Sequence, residues 1–353
     1  MKVIFRVDSS LIIGTGHVVR CLVLATLLLE EGHIIIFACR DLDGNIISLI
    51  EEKHFRVVRL TPPAEGNVGS RDQHTLLEVN LEQELTEFRK VLECEKPDWV
   101  VVDHYELSEA WEQNVKEAGV RVFVIDDLLR PHSCDGVLDQ NFRSDFSLRY
   151  ETGSLKASQF LGPKFALISA EFKNIVPFVH ENKEIRKILV FFGGVDVTHE
   201  TSRFLRLIPA LPPNIFFQIV VGKSNPTIPQ IQNEIVKIAN AELHIQTTHM
   251  SALMAGCDLF VGAGGGVTWE RCYLGVPGIC VATADNQIRG AEALSREGVH
   301  LYLGEAKKLS DEVYVGAICS LALDREARRS LSLKSMGLEV SSRVKELIDC
   351  FQK

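Results

Sequence analysis

Residues 2–39 read KVIFRVDSSLIIGTGHVVRCLVLATLLLEEGHIIIFAC. Residues 2–7 form an apolar run of strand character, followed by a loop carrying Gly14 and Gly16. In 17–31 the apolar residues recur at helical spacing, and Gly32 closes the segment. A second apolar run, 34–38, follows at once. Parallel strands need a helical crossover and are buried on both faces, so their apolar runs are unbroken. This stretch therefore reads as the opening strand–helix–strand unit of a parallel α/β sheet.

The rhythm continues outward. A helix is expected over 44–53, a strand over 55–60, a helix over 81–95, a strand over 98–102, a helix over 108–118 and a strand over 120–125. Residues 140–185 break it with scattered charges, Gly153, Gly162-Pro163 and a polar run from His180 to Glu184, and read as a crossover plus linker. Strands then resume at 186–192, 215–221, 241–246, 259–262 and 278–282, separated by helical patterns. The reading is two α/β domains, 1–180 and 181–325, with a helical stretch 326–353 that packs back on the first. Ligands of such sheets bind beyond the carboxyl ends of the strands, so a ligand is expected in a cleft between the two domains.

Composition narrows the class. Of 353 residues, 38 are Lys or Arg and 47 are Asp or Glu, giving a net charge of −9. An acidic balance argues against a general nucleic-acid binder or an anionic-membrane binder, whose partners favour clustered Lys and Arg. No run approaches the ~20 apolar residues of a membrane span, and the N-terminus reads as a strand rather than an export signal. The 9 cysteines form no CxxC pair and read as reduced thiols of a cytoplasmic protein.

The chemistry-bearing residues follow strands. Asp8, expected with Thr15 at the substrate, opens the first loop, in which Gly14-Thr15-Gly16 precede His17 at the helix start. The glycines admit close approach of a ligand and leave helix amides open to an anion. The positive end of the helix dipole favours a neutral imidazole, the form a general base needs. The spacing is not that of a dinucleotide fingerprint. A second cluster, Asp103-His104-Tyr105, ends the 98–102 strand. All three are expected at the substrate, where Asp103 could orient a histidine and Tyr105 could donate to a sugar or phosphate oxygen; the alternative is a capped turn. Asp126-Asp127 end the next strand and read as loop structure rather than a metal site. In the second domain, Gly264-Gly265-Gly266-Val267 lead into a helix bearing Glu270. That is a set of amides suited to a diphosphate and a carboxylate suited to ribose hydroxyls. Asn286 and Gln287, and Gly193-Gly194 after the 186–192 strand, are expected at the same ligand.

The segments FRVDSSLIIGTGHVVRC, CRDLDGN, VVDHYEL, VIDDLLRPHSCDGVLDQN, LGPKFALI, FFGGVD, VVGKSNP and GAGGGVTWERCYLGVP resemble, in order from residue 1 to about 290, the PseG family of UDP-2,4-diacetamido-2,4,6-trideoxy-β-L-altropyranose hydrolases of pseudaminic acid biosynthesis. That family is similar to MurG-type GT-B proteins. The resemblance implies an α/β, GT-B-like fold of two Rossmann-like domains facing each other across a cleft, with the nucleotide held mainly by the second. It implies that His17 activates water to attack the anomeric carbon with inversion, releasing UDP, with no metal and no cofactor. Gly14, Gly16 and Arg20 match the family's loop around the histidine and are expected to contact the substrate, Tyr105 matches a tyrosine near the active site, and Gly265 and Glu270 match the UDP-binding region. The chain departs from the family pattern at Ser169, where an arginine is common, and at Leu76 and Leu77, near a usual tryptophan. These departures bear on the sugar more than on the chemistry. The competing readings are a GT-B glycosyltransferase using a UDP-sugar donor and a non-catalytic sugar-nucleotide-binding subunit.

Overall fold

The computed structural model of the chain describes residues 1–63, 77–143, 150–151, 157–180 and 184–352. The chain forms two compact units. The first comprises Met1–Asn141, Asp145–Leu167 and Arg343–Lys353, and the second Phe142–Ser144 and Ile168–Ser342.

The first unit is a wholly parallel sheet of β1 (Lys2–Val7), β2 (Ile34–Arg40), β3 (Arg56–Leu60), β4 (Trp99–Asp103), β5 (Arg121–Ile125), β6 (Gly136–Asp139) and β7 (Ser158–Leu161). Its strand order is β3-β2-β1-β4-β5-β6-β7. The direction of winding reverses between β1 and β4, so the loops after these two strands flank the switch point, where such sheets take ligands. Alternation along β1 sorts the core onto two faces. Val3, Phe5 and Val7 pack with Cys21, Leu24, Ala25 and Leu28 of helix α1 (Gly16–Glu30). Ile4 packs with Ile36 and Val100 against Phe88 of α3 (Leu81–Glu95) and Trp111 of α4 (Glu109–Glu117). Between α1 and α3, the short helix α2 (Ile47–Glu52) begins later than the expected 44–53, after Gly44 turns the chain at φ +73°.

On the second face two strand-end arginines replace the apolar pattern. Arg6 and Arg40, on adjacent strands, are fully buried and converge on Glu84 of α3. Arg6 Nε donates to Glu84 Oε1 at 2.7 Å and Arg40 Nη2 donates to Oε2 at 2.5 Å. Glu87, one turn on, accepts an ion pair from Arg40 Nη1 at 2.9 Å. Burial alone would raise the Glu84 carboxyl, but Arg6 and then Arg40 outweigh it and move it from 4.5 to about 2. A carboxyl depressed in the fold stabilises above its unfolded value and loses that contribution as pH falls through the folded one. Glu84→Gln leaves two buried cations short of a partner and is expected to cost ~3–5 kcal/mol at neutral pH. Urea melts should show the gap between variant and wild type narrowing between pH 4.5 and about 2.

The second unit repeats the winding with β8 (Lys187–Phe191), β9 (Phe216–Val221), β10 (Ala241–Ile245), β11 (Leu259–Ala263), β12 (Gly278–Ala282) and β13 (Leu301–Glu305). The strand order is β10-β9-β8-β11-β12-β13, again all parallel, with the switch point between β8 and β11. Its helices are α5 (Ala170–Lys173), α6 (Glu200–Leu207), α7 (Ile228–Ile235), α8 (Met250–Ala255), α9 (Val267–Leu274), α10 (Asp285–Arg296), α11 (Asp311–Leu323) and α12 (Arg325–Met336). Ile188, Val190, Phe217, Ile219, Leu259 and Ile279 form its core with α6, α7 and α11.

Further details differ from the sequence expectations, which placed no strand at β6 or β13. The 140–185 stretch holds a strand, β7, and a helix, α5. The second unit begins at Ile168, not near 181, because the 168–180 segment is bonded to it: Glu171 accepts Ser251 Oγ at 3.0 Å and the His180 amide donates to Ser332 Oγ at 3.1 Å. The C-terminal stretch is divided: α12 stays with α9, where Arg271 Nη1 donates to Ser335 Oγ at 3.2 Å. Only α13 (Val344–Cys350) and its flanks join the first unit. There the Phe351 ring packs at a tilt against Trp99 and Phe123, with centroids 5.0 and 4.9 Å away. Part of the expected linker, 181–183, and Leu76 lie outside the described residues. All 9 cysteines are free, and most are buried. Among the described residues no helix is long and apolar enough to cross a membrane.

Candidate active site

The loop between β1 and α1 is held from below. Ser10 Oγ accepts the amides of Ile12 and Ile13 at 3.1 and 3.0 Å, and the Gly14 amide donates to the Ser10 carbonyl at 2.9 Å. Gly14 closes this turn at φ +79°, a conformation costly for a side chain-bearing residue. Thr15 is the N-cap of α1 and accepts the Val19 amide. Its side chain makes no cap, and no acidic residue lies in the first turn. The helix therefore presents open amides and an uncompensated positive end beside Gly16 and His17.

His17 is 9% exposed. Its Nδ1 lies 2.6 Å from Asp103 Oδ1, at the end of β4 across the switch point. Arg20, one turn along α1, grips the same carboxylate: Nε donates to Oδ2 at 2.6 Å and Nη2 donates to Oδ1 at 2.7 Å. Burial alone would raise the Asp103 carboxyl, but Arg20 and then His17 hold it well below the usual carboxylate range. An ionised carboxylate only accepts, so His17 Nδ1 carries the proton, and in the neutral imidazole the lone pair lies on Nε2. Among the described residues Nε2 has no hydrogen-bond partner. The edge of the His17 ring meets Tyr105 at 4.8 Å, and the Tyr105 hydroxyl donates to Asp127 Oδ1 at 2.8 Å. Burial, then Asp127, pushes the Tyr105 phenol well up, so it stays a neutral donor.

Two residues expected at the ligand are used inside the fold. Asp8 is fully buried, its Oδ1 accepting Arg6 Nη1 at 2.6 Å and the Arg40 amide at 2.7 Å. It supports the loop from beneath, since its carboxylate has no surface to offer. His104 is 3% exposed, and its Nδ1 accepts the Glu106 amide at 3.2 Å. Burial lowers it to about 4, so it is neutral in the cell's pH range. Asp126 likewise builds its own turn, accepting the Leu128 amide at 2.9 Å and Arg130 Nε at 2.7 Å. Among the described residues no group of three or more His, Cys, Asp or Glu is placed to hold a metal ion.

In the second unit Gly264, Gly265 and Gly266 connect β11 to α9 without any positive φ. The amides are offered by a regular helix start, not by a left-handed nest. Gly264 is tightly packed, since a Cβ there would lie 3.1 Å from Cys280 Sγ and 3.5 Å from Gln287 Cβ. A Cβ at Gly265 would meet only Gln287 Nε2, at 3.8 Å, and one at Gly266 would meet nothing within 4 Å. Neither position is closed to a side chain by packing, and Gly266 is the N-cap of α9. Among the described residues the Gly265, Gly266 and Val267 amides have no backbone acceptor.

Glu270, in the first turn of α9, is partly buried and makes no hydrogen bond among the described residues. Burial, then the nearby Glu171, pushes its carboxyl up to about 8. Glu171 itself accepts Ser251 Oγ at 3.0 Å and Ser169 Oγ at 3.4 Å. Nothing in the sequence pattern singled Glu171 out. Gln287 Oε1 accepts the Thr283 amide at 2.9 Å, so this side chain ties the β12–α10 turn beside Gly265. Asn286 is exposed at the start of α10. Gly193, after β8, sits at φ +105°, and the backbone at Gly194 packs against Gly222 so closely that a Cβ on Gly222 would lie 2.3 Å from the Gly194 carbonyl.

Two parallel sheets of this winding, each with a glycine-bearing strand–helix loop at its switch point, define an α/β protein of the GT-B type. The backbone is similar to that of MurG from Acinetobacter baumannii, with a TM-score of 0.69 over 99% of both chains at 14% identity. In sequence, the chain is similar to the UDP-2,4-diacetamido-2,4,6-trideoxy-beta-L-altropyranose hydrolase of Campylobacter jejuni, 27% identical over 300 residues. That match covers 84% of this chain and 97% of the relative. The spore coat polysaccharide biosynthesis protein SpsG of Bacillus subtilis is 25% identical over 174 residues, 48% of this chain and 51% of that one. No protein-family model matches the chain.

Proposed function

We propose that this protein is a metal-independent, inverting UDP-sugar hydrolase acting on a UDP-linked 2,4-diacetamido-2,4,6-trideoxyhexose. The observation that carries the reading is His17, with Nδ1 bound to ionised Asp103 and Nε2 left with its lone pair at the open end of α1. The similarity to the Campylobacter jejuni hydrolase along nearly its whole length supports it. In this account His17 Nε2 takes a proton from water as the water oxygen bonds to the anomeric carbon. The bond from that carbon to the β-phosphate oxygen breaks, and UDP leaves with the electron pair. A neutral base is worth roughly 10²–10⁴-fold in such a step. The Gly265–Val267 amides and the α9 dipole stabilise the charge that grows on the diphosphate. The Tyr105 hydroxyl serves the sugar side, and the free sugar feeds pseudaminic acid synthesis.

The test is UDP release from this UDP-sugar in EDTA with no acceptor present. Steady release is expected. Release only after addition of a hydroxyl acceptor would instead favour a glycosyltransferase, the reading that the MurG-like backbone keeps in play.

Glu270 is assigned to the ribose hydroxyls of UDP, and this has a thermodynamic signature. Burial and the neighbouring Glu171 push its carboxyl up from an ordinary 4.5 to about 8. A raised carboxyl leaves the fold fully stable below the unfolded value and costs stability as pH rises through the folded one. Glu270→Gln is therefore expected to melt higher than wild type above pH 8, while weakening UDP binding roughly 10–100-fold. Calorimetric melts and UDP titrations on one preparation check both signs.

A further inference from the structure

We propose that Arg20 is a positioning residue that keeps His17 a neutral base by neutralising the carboxylate that orients it. The inference rests on the reading of His17 as the base. Three α1 side chains at one-turn spacing, His17, Arg20 and Cys21, converge on the Asp103 carboxylate. Arg20 makes a parallel two-bond fork with it, and Cys21 Sγ lies 3.6 Å from Oδ2. Oδ1 is shared, taking both His17 Nδ1 and Arg20 Nη2. Arg20 Nη2 is also only 3.2 Å from Nδ1.

Two consequences follow from this arrangement. Arg20 is donor-only, and it holds Asp103 as an acceptor, so the imidazole tautomer is fixed with its lone pair on Nε2. A buried carboxylate alone would stabilise the imidazolium strongly and leave the base protonated, whereas a guanidinium on the same carboxylate removes most of that pull. The other polar groups near the ring are accounted for. His104 is neutral, the Cys21 thiol is pushed up by burial and then Asp103, and Tyr105 donates to Asp127. Arg20 Nη1 reaches Asp127 Oδ2 at 3.3 Å, so the same guanidinium offsets the second carboxylate near the base. The loop resemblance placed Arg20 among substrate contacts, but its head is occupied by two carboxylates of its own unit.

The test is an imidazole nitrogen NMR titration of His17 without substrate, assigned with His17→Asn, in wild type, Arg20→Met and Arg20→Lys. The Met variant should raise the His17 titration by roughly one pH unit, with the acid limb of kcat/KM moving the same way. The Lys variant, which keeps the charge but loses the fork, should return the titration toward wild type with kcat still reduced. Arg20→Gln fills similar space and reports the same shift where the Met variant does not fold. An unmoved His17 titration in the Met or Gln variant overturns the proposal, as does a rise in KM alone, which would mark Arg20 as a substrate contact. The titration needs no turnover, so a failure of the hydrolase reading and a failure of this one are seen separately.

Discussion

Asp103→Asn should lower kcat for UDP release by roughly 10²–10⁴-fold with little change in KM. An amide at position 103 can donate to His17 Nδ1, which favours the tautomer with its proton on Nε2. The base is then blocked although every heavy atom keeps its place. The same substitution leaves Arg20 short of the partner that takes two of its bonds. Breaking one side of a buried pair costs ~3–5 kcal/mol, so melts should fall together with turnover. A variant that folds poorly but turns over at the wild-type rate per folded molecule would refute the assigned role of Asp103.

His17→Asn should reduce turnover by roughly 10²–10⁴-fold. Unlike Asp103→Asn it leaves the Arg20–Asp103 pair intact, so stability should change little. UDP affinity should also be unchanged, because the nucleotide is assigned to the Gly265–Glu270 loop. Kinetics and UDP titration calorimetry separate the two effects. Unchanged turnover would leave only a nucleotide-binding role for the chain.

The parts of this account that were legible in the sequence share a physical cause. β1, β4, β8 and β11 are central parallel strands, covered on both faces, so their apolar runs stand out. The loops after them carry the residue types that switch-point chemistry needs. β6, β7 and β13 escaped because GVLD, SQFL and LYLGE are only four or five residues long and carry at most three consecutive apolar residues, too short a run to stand out. His17 and Asp103 were legible as types in the right loops. The partners of Arg20 and Glu84 were not, because those bonds span 83 and 78 residues and only the tertiary fold brings them together. Asp8 and His104 show the converse. Their positions at strand ends suggested ligand contact, yet Asp8 is buried against Arg6 and the Arg40 amide, with His104 beside it. Whether a strand-end polar residue faces ligand or interior depends on the register of its neighbours, which the pattern of one strand does not carry.

The net charge of −9 also takes on a specific meaning. A diphosphate ligand on an acidic protein has to be held by local donors, and the open amides at Gly265–Val267 are of that kind.

The most direct test of the central claim is a single-turnover reaction of the UDP-linked trideoxyhexose in oxygen-18 water, with EDTA and without acceptor. The account predicts one labelled oxygen on the anomeric carbon of the released sugar and none in UDP. Label in the β-phosphate of UDP would place the attack at phosphorus and contradict it.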